Sequence, residues 1–152
     1  LKGPFVSLSR SFRTGAAVSA LVQEGLLHPH MANLVEHPTL YGHQETAVRR
    51  ISERRPTLVS TGTGSGKTEC FLYPIISRCL QLRDEGAPDG IVAVLVYPMN
   101  ALAEDQLGRL RSLLVGTGIS FGMYVGKTPE GAADVTGLRL EAGPRAGPTT
   151  RL

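Results

Sequence analysis

At 152 residues the chain is long enough for one compact domain with a sizeable core, and its length excludes two complete ones. Hydrophobic residues at 41% and charged residues at 19% describe a globular chain, and no apolar run approaches the ~20 residues a membrane helix needs, so a soluble protein is expected. A net charge of +3 and a pI of about 9.1 lean basic, too weakly to establish a polyanionic partner.

The opening "LKGPFVSLSRSFRTGAAVSAL" has neither an initiator Met nor a long apolar core behind its basic residues. It does not read as a signal peptide, and a cytoplasmic setting without a membrane partner is expected. Within residues 1–39, an N-terminal flanking helical segment, Val18, Leu21, Val22 and Leu26 recur at helical spacing before "HPH". A short helix is predicted there. A second follows in "LYGHQETAVRRISERRP", where Leu40, Gln44, Ala47, Val48 and Ile51 share a face, the arginines crowd the remainder and Pro56 ends it.

From Thr57 the pattern becomes a short strand, "TLVS", then a glycine-rich loop, then a helix from Lys67 to about Arg83 with Phe71, Leu72, Ile75, Ile76, Cys79 and Leu80 apolar. Pro74 inside that helix removes a backbone donor, which predicts a kink. Cys70 and Cys79 lie on the same helix with a rise of roughly 13 Å between them, too far for the disulfide range of about 4.4–6.8 Å. They read as buried reduced thiols.

"IVAVLVY", Ile91 to Tyr97, is continuously apolar and β-branched, as a parallel strand covered on both faces would be. The helix after it carries Ala103, Leu107, Leu110 and Leu114 at helical spacing, and "ISFGMYV" then alternates Ile119, Phe121, Met123 and Val125 as a third strand. Strands and helices alternating in this way predict an α/β fold with a parallel sheet, right-handed crossovers and helices on both faces. Residues 131–152 are rich in Gly and Pro with no surviving apolar period, and read as a loop or disordered end.

The loop Thr61, Gly62, Thr63, Gly64, Ser65, Gly66, Lys67, Thr68 carries the chemistry. A phosphate loop turns successive backbone N–H groups inward, adds the positive end of the following helix, and uses glycine where the chain must turn tightly. In such a loop Lys67 would reach the β and γ phosphates of ATP and the Thr68 hydroxyl would help hold Mg²⁺. Thr61 stands where the pattern usually has its first glycine, yet the strand before and the helix after supply the required context.

"STGTGSGKTECFLYPII" followed by "VYPMNALAEDQLGRLR" resembles motifs I and Ia of superfamily 2 helicases of the DEAD/DEAH-box type. "LYGHQETAVRRI" is similar to their glutamine-bearing segment upstream of the loop, and "YVGKTPE" to the motif Ib region. The resemblance spans roughly residues 36–130. It looks closest to large DNA helicases with a C-terminal domain of unknown function, related to DNA-repair and some phage-defence helicases.

The resemblance implies an incomplete RecA-like lobe over residues 40–130, ATP and Mg²⁺ as cofactors, Lys67 and Thr68 in catalysis, and Gln44 reading adenine. It also implies nucleic acid, DNA before RNA, as partner, met by Pro98, Met99, Asn100, Ala101 and Leu102 and by Gly126, Lys127 and Thr128. A loop opening a helix suits a phosphate contact, although Asn100 as a simple helix cap has the same geometry.

Hydrolysis in this class needs an acidic pair at the end of a later strand. The available pairs are Asp84-Glu85, read as a turn, and Glu104-Asp105, read as mid-helix; both are taken as solvated charge. The expectation is the first part of a helicase that ends before its catalytic acid, lacking the second RecA-like lobe and folding marginally by itself. Two other readings stay open: a P-loop ATPase subunit that never touches nucleic acid, and a non-catalytic remnant.

Overall fold

The computed structural model describes residues 11–126. Lys127, Thr128 and the Gly/Pro-rich stretch 131–152 lie outside the described residues. In chain order the elements are β1 (Thr14–Ala17), α1 (Val18–Gln23), α2 (Met31–Leu34), β2 (Thr39–Tyr41), α3 (Gly42–Ser52), α4 (Lys67–Asp84) and α5 (Asn100–Leu113).

β1 and β2 pair antiparallel, with Thr14 opposite Tyr41 and Ala17 opposite Thr39. β1 therefore carries one extra residue, a bulge that bends it into α1. Neither strand was expected: "TGAA" and "TLY" are too short to show a period of two. This ribbon joins residues before and after position 39, and Val18 N–H donates to the Pro38 carbonyl at 2.8 Å.

One core crosses all of these elements. Val18 and Leu21 of α1, Met31 of α2, Leu40 of β2 and Val48 of α3 pack with Leu72, Tyr73, Ile76 and Leu80 of α4 and with Leu114. The helix expected over Lys67–Arg83 is present, and it continues through Pro74, which is itself buried. Leaving position 74 without a donor frees the Cys70 carbonyl and does not end the helix, because the face around it is held by tertiary packing. Cys70 is buried, Cys79 half-buried, and both are free thiols. Burial first, and the neighbouring Glu69 carboxylate second, push the Cys70 thiol up to about 11.

The expected parallel sheet is not formed among the described residues: their one sheet is the two-stranded β1–β2 ribbon. Among the described residues, segments 57–60, 91–97 and 119–124 form no strand. An apolar, β-branched run shows that a segment suits burial on both faces, but a ladder also needs a neighbouring backbone at ~4.8 Å, which no single segment encodes. The facing was nonetheless legible in the third segment. Ile119, Phe121, Met123 and Val125 are half-buried while the residues between them are exposed.

Candidate nucleotide-binding site

The loop from Thr61 to Gly66 leads directly into α4, whose first residues are Lys67 and Thr68. Gly64 and Gly66 have φ of 72° and 71°, left-handed conformations that cost a residue with a side chain. Ser65, between them, is fully buried, and its hydroxyl meets the Thr61 hydroxyl at 2.6 Å. That bond closes the loop from inside. Left-handed glycines in a loop let successive N–H groups turn to one side, and the eighteen residues of α4 direct the positive end of their dipole toward this loop.

Lys67 Nζ donates to the Thr61 and Gly62 carbonyls at 2.8 and 2.6 Å. The ammonium is thus folded back over its own loop. Thr68 is half-buried in the first turn of α4. Among the described residues no group of three or more His, Cys, Asp or Glu side chains could hold a metal ion. A magnesium ion here would draw its ligands chiefly from phosphate and water, as Mg²⁺ ordinarily does.

α3 holds the loop from the other side. Gln44 is 6% exposed; its Oε1 accepts the Tyr41 backbone N–H at 2.8 Å and its Nε2 donates to the Gly66 carbonyl at 3.0 Å. One amide hydrogen and one lone pair remain, so a base edge can still be met. The preceding residue, His43, reaches the Ser65 carbonyl through Nε2 at 2.7 Å. Sequence reasoning missed His43, because its only signal is adjacency to Gln44.

Beside the loop, between the start of α3 and segment 57–61, lies a cleft of about 750 Å³ whose walls include Phe12, Arg13, His43 and Arg50. Two of its wall residues, Phe12 and His43, meet edge-on at 5.4 Å, and Tyr41 stacks on His43 with centroids 5.8 Å apart. An aromatic rim with arginines behind it suits a flat, partly anionic molecule.

Pro98, Met99, Asn100, Ala101 and Leu102 are all exposed, as is Gly126. Asn100 is the first residue of α5 and Met99 its N-cap, with no side-chain bond to the helix end, so Asn100 does not cap α5. The helix hosting this segment is tied to the helix after the glycine-rich loop: Arg109 of α5 pairs with Glu69 of α4, one residue beyond Thr68. Neither acidic pair faces the loop from a strand. Asp84 ends α4, bonded to Arg83 and to His28, Glu85 caps the helix in the turn that follows, and Glu104 and Asp105 are exposed on α5.

An extended lead-in, two left-handed glycines and a lysine-headed helix are the parts from which anion-binding loops are built. The model of the DEAD/DEAH box helicase family matches residues 41–138, and the chain belongs to that family. Membership carries an α/β, RecA-like fold.

Among curated relatives, Druantia protein DruE of Escherichia coli is 32% identical over 84% of this chain and 8% of its own length. The ATP-dependent RNA helicase DBP4 of Cryptococcus neoformans is 35% identical over 74% of this chain and 12% of its own. The ATP-dependent RNA helicase rok1 of Aspergillus niger is 30% identical over 65% and 14%. The chain therefore spans roughly a tenth of the length of these relatives. No solved structure matches it. No helix among the described residues is long and apolar enough to cross a membrane.

Proposed function

We propose that this chain is the nucleotide-gripping part of an ATP-dependent nucleic-acid helicase or translocase. Thr61, Gly62, Thr63, Gly64, Ser65 and Gly66 cradle the phosphates of ATP, Lys67 leaves its two loop carbonyls for the β and γ phosphates, and Thr68 contributes a hydroxyl to Mg²⁺. Gln44 offers its remaining amide hydrogen and lone pair to adenine. In the intact protein, segments 57–60, 91–97 and 119–125 become parallel strands of a RecA-like lobe. Pro98, Met99, Asn100, Ala101, Leu102 and Gly126, with Lys127 and Thr128, meet the nucleic-acid backbone. The Arg109–Glu69 pair ties that contact to the nucleotide. A second lobe, and a cytoplasm that supplies ATP and Mg²⁺, belong to the same proposal.

One observation carries the reading. Two left-handed glycines, Gly64 and Gly66, precede Lys67 and Thr68, and α3 holds the Ser65 and Gly66 carbonyls of the same loop. Within these residues no carboxylate pair stands at the end of a strand, so turnover is assigned to the intact protein. The test is ATP-dependent thermal stabilisation of wild type and Lys67→Ala: the wild type should gain about 2–4 kcal/mol at saturating ATP and the variant should gain none. Equal gains would remove the assignment. Stimulation of the intact protein's ATPase by DNA but not RNA oligonucleotides would support the DNA reading, the reverse would replace it, and no stimulation by either would restore the reading as an ATPase that acts without nucleic acid.

A further inference from the structure

His43 and Gln44 are consecutive residues in the first turn of α3, and they bond to consecutive carbonyls of the loop, Ser65 and Gly66. In a planar trans peptide the carbonyl and the N–H of the same unit point in opposite directions. Fixing the Ser65 carbonyl toward α3 therefore aims the Gly66 N–H away from α3, and fixing the Gly66 carbonyl does the same for the Lys67 N–H. Both N–H groups lie on the side of the loop where an anion would sit. A carbonyl only accepts, so neutral His43 must carry its proton on Nε2. Neighbouring rings fix the imidazole in this orientation, since it stacks on Tyr41 with an interplanar angle of 17° and meets the Phe12 ring edge-on. Tyr41 is in turn held by Gln44 through its backbone N–H.

We infer that His43 is a positioning residue of the phosphate loop, whose Nε2–H holds the Ser65 carbonyl outward so that the loop's N–H groups stay aimed at the phosphates of a nucleotide. This rests on the reading of the loop as an ATP site. Its role is confined to the phosphate end, so it should raise affinity for ATP and ADP and leave adenosine unaffected. The clasp works with either protonation state, since the imidazolium also donates from Nε2.

The test uses the intact protein and measures binding of ATP, ADP and adenosine to wild type, His43→Phe, His43→Gln and Lys67→Ala. Phenylalanine keeps the ring stack without a donor, and glutamine supplies an amide N–H near the position of Nε2. The expected result is a loss of about five- to tenfold in ATP and ADP affinity for His43→Phe, with adenosine unchanged. His43→Gln should restore most of that loss. If His43→Phe binds ATP like wild type while Lys67→Ala does not, the clasp is wrong and the ATP site stands. If Lys67→Ala also binds like wild type, the ATP site itself falls. Equal losses in both His43 variants would make the ring's shape the cause and overturn the donor role. A readout that needs no variant is the ¹⁵N spectrum of histidine in the wild type at neutral pH: an Nε2–H tautomer at His43 is expected, and an Nδ1–H tautomer overturns the inference.

Discussion

A methyl group on Gly66 would overlap the Gln44 amide, and the φ of 71° at that position disfavours any side chain. Gly62, in the same loop, has ordinary φ and open space around it. The two glycines therefore separate: Gly66→Ala should lower stability by about 1–2 kcal/mol from the left-handed conformation alone and weaken ATP binding by displacing Gln44. Gly62→Ala should leave the thermal midpoint unchanged. Thermal melts of the two variants, with and without ATP, check this; equal midpoints for both would show that the Gly66 conformation is not enforced. The presence of the loop was legible in the residues themselves. What was not legible is that Gln44 bonds the loop it was expected to work beside, or that His43 joins it, since both bonds bridge residues 22 apart in sequence.

At the scale of elements, α3 contacts both the N-terminal ribbon and the loop. Glu45 accepts the Ala16 backbone N–H of β1 at 2.8 Å and pairs with Arg49 at 2.8 Å, and Arg49 also pairs with Glu24 just beyond α1. The Arg49 hydrogen bonds hold both carboxyls below their usual range, with burial opposing. A carboxylate whose folded pKa is depressed contributes stability that is fully present above its unfolded pKa, and loses it as pH falls through the folded value. The thermal midpoint should therefore hold from pH 7 to about pH 5 and fall below the ordinary carboxylate value of 4.5, with Asp84, lowered first by Arg83 and then by His28, acting in the same direction. Glu45→Gln should flatten the acid limb of a melt series taken from pH 7 to 3. An unchanged limb would place the acid sensitivity elsewhere. The amphipathic stretches forecast α1, α3, α4 and α5 because their spacing is local; β1, β2 and α2 were missed because elements of three or four residues show no period.

At the scale of the whole molecule, two surfaces contrast. The core is continuous from Val18 to Leu114, whereas the first two runs meant for strands lie open: Leu58 is 94% exposed, Val94 74% and Val96 87%. Val94 and Val96 share one side of their segment, with the half-buried Leu95 on the other. An apolar, β-branched row with unsatisfied backbone is an adhesive edge. Residues 1–152 produced alone should therefore bind an apolar dye strongly and associate, and Val94→Lys with Val96→Lys should reduce both without changing helix content. A monomeric product that binds no dye would mean that this row is covered in solution.

The sequence by itself determined the glycine-rich loop, the helix that follows it, the alternation of apolar runs and the family, because these depend on residue type at short spacing. Tertiary structure decided that residues 14–41 pack into the same core as the loop's helix. It also decided that α3 grips the loop through His43 and Gln44, and that Glu69 and Arg109 join α4 to α5. Each of these is a contact between backbone or side-chain groups distant along the chain, and chain order fixes neither their separation nor their orientation.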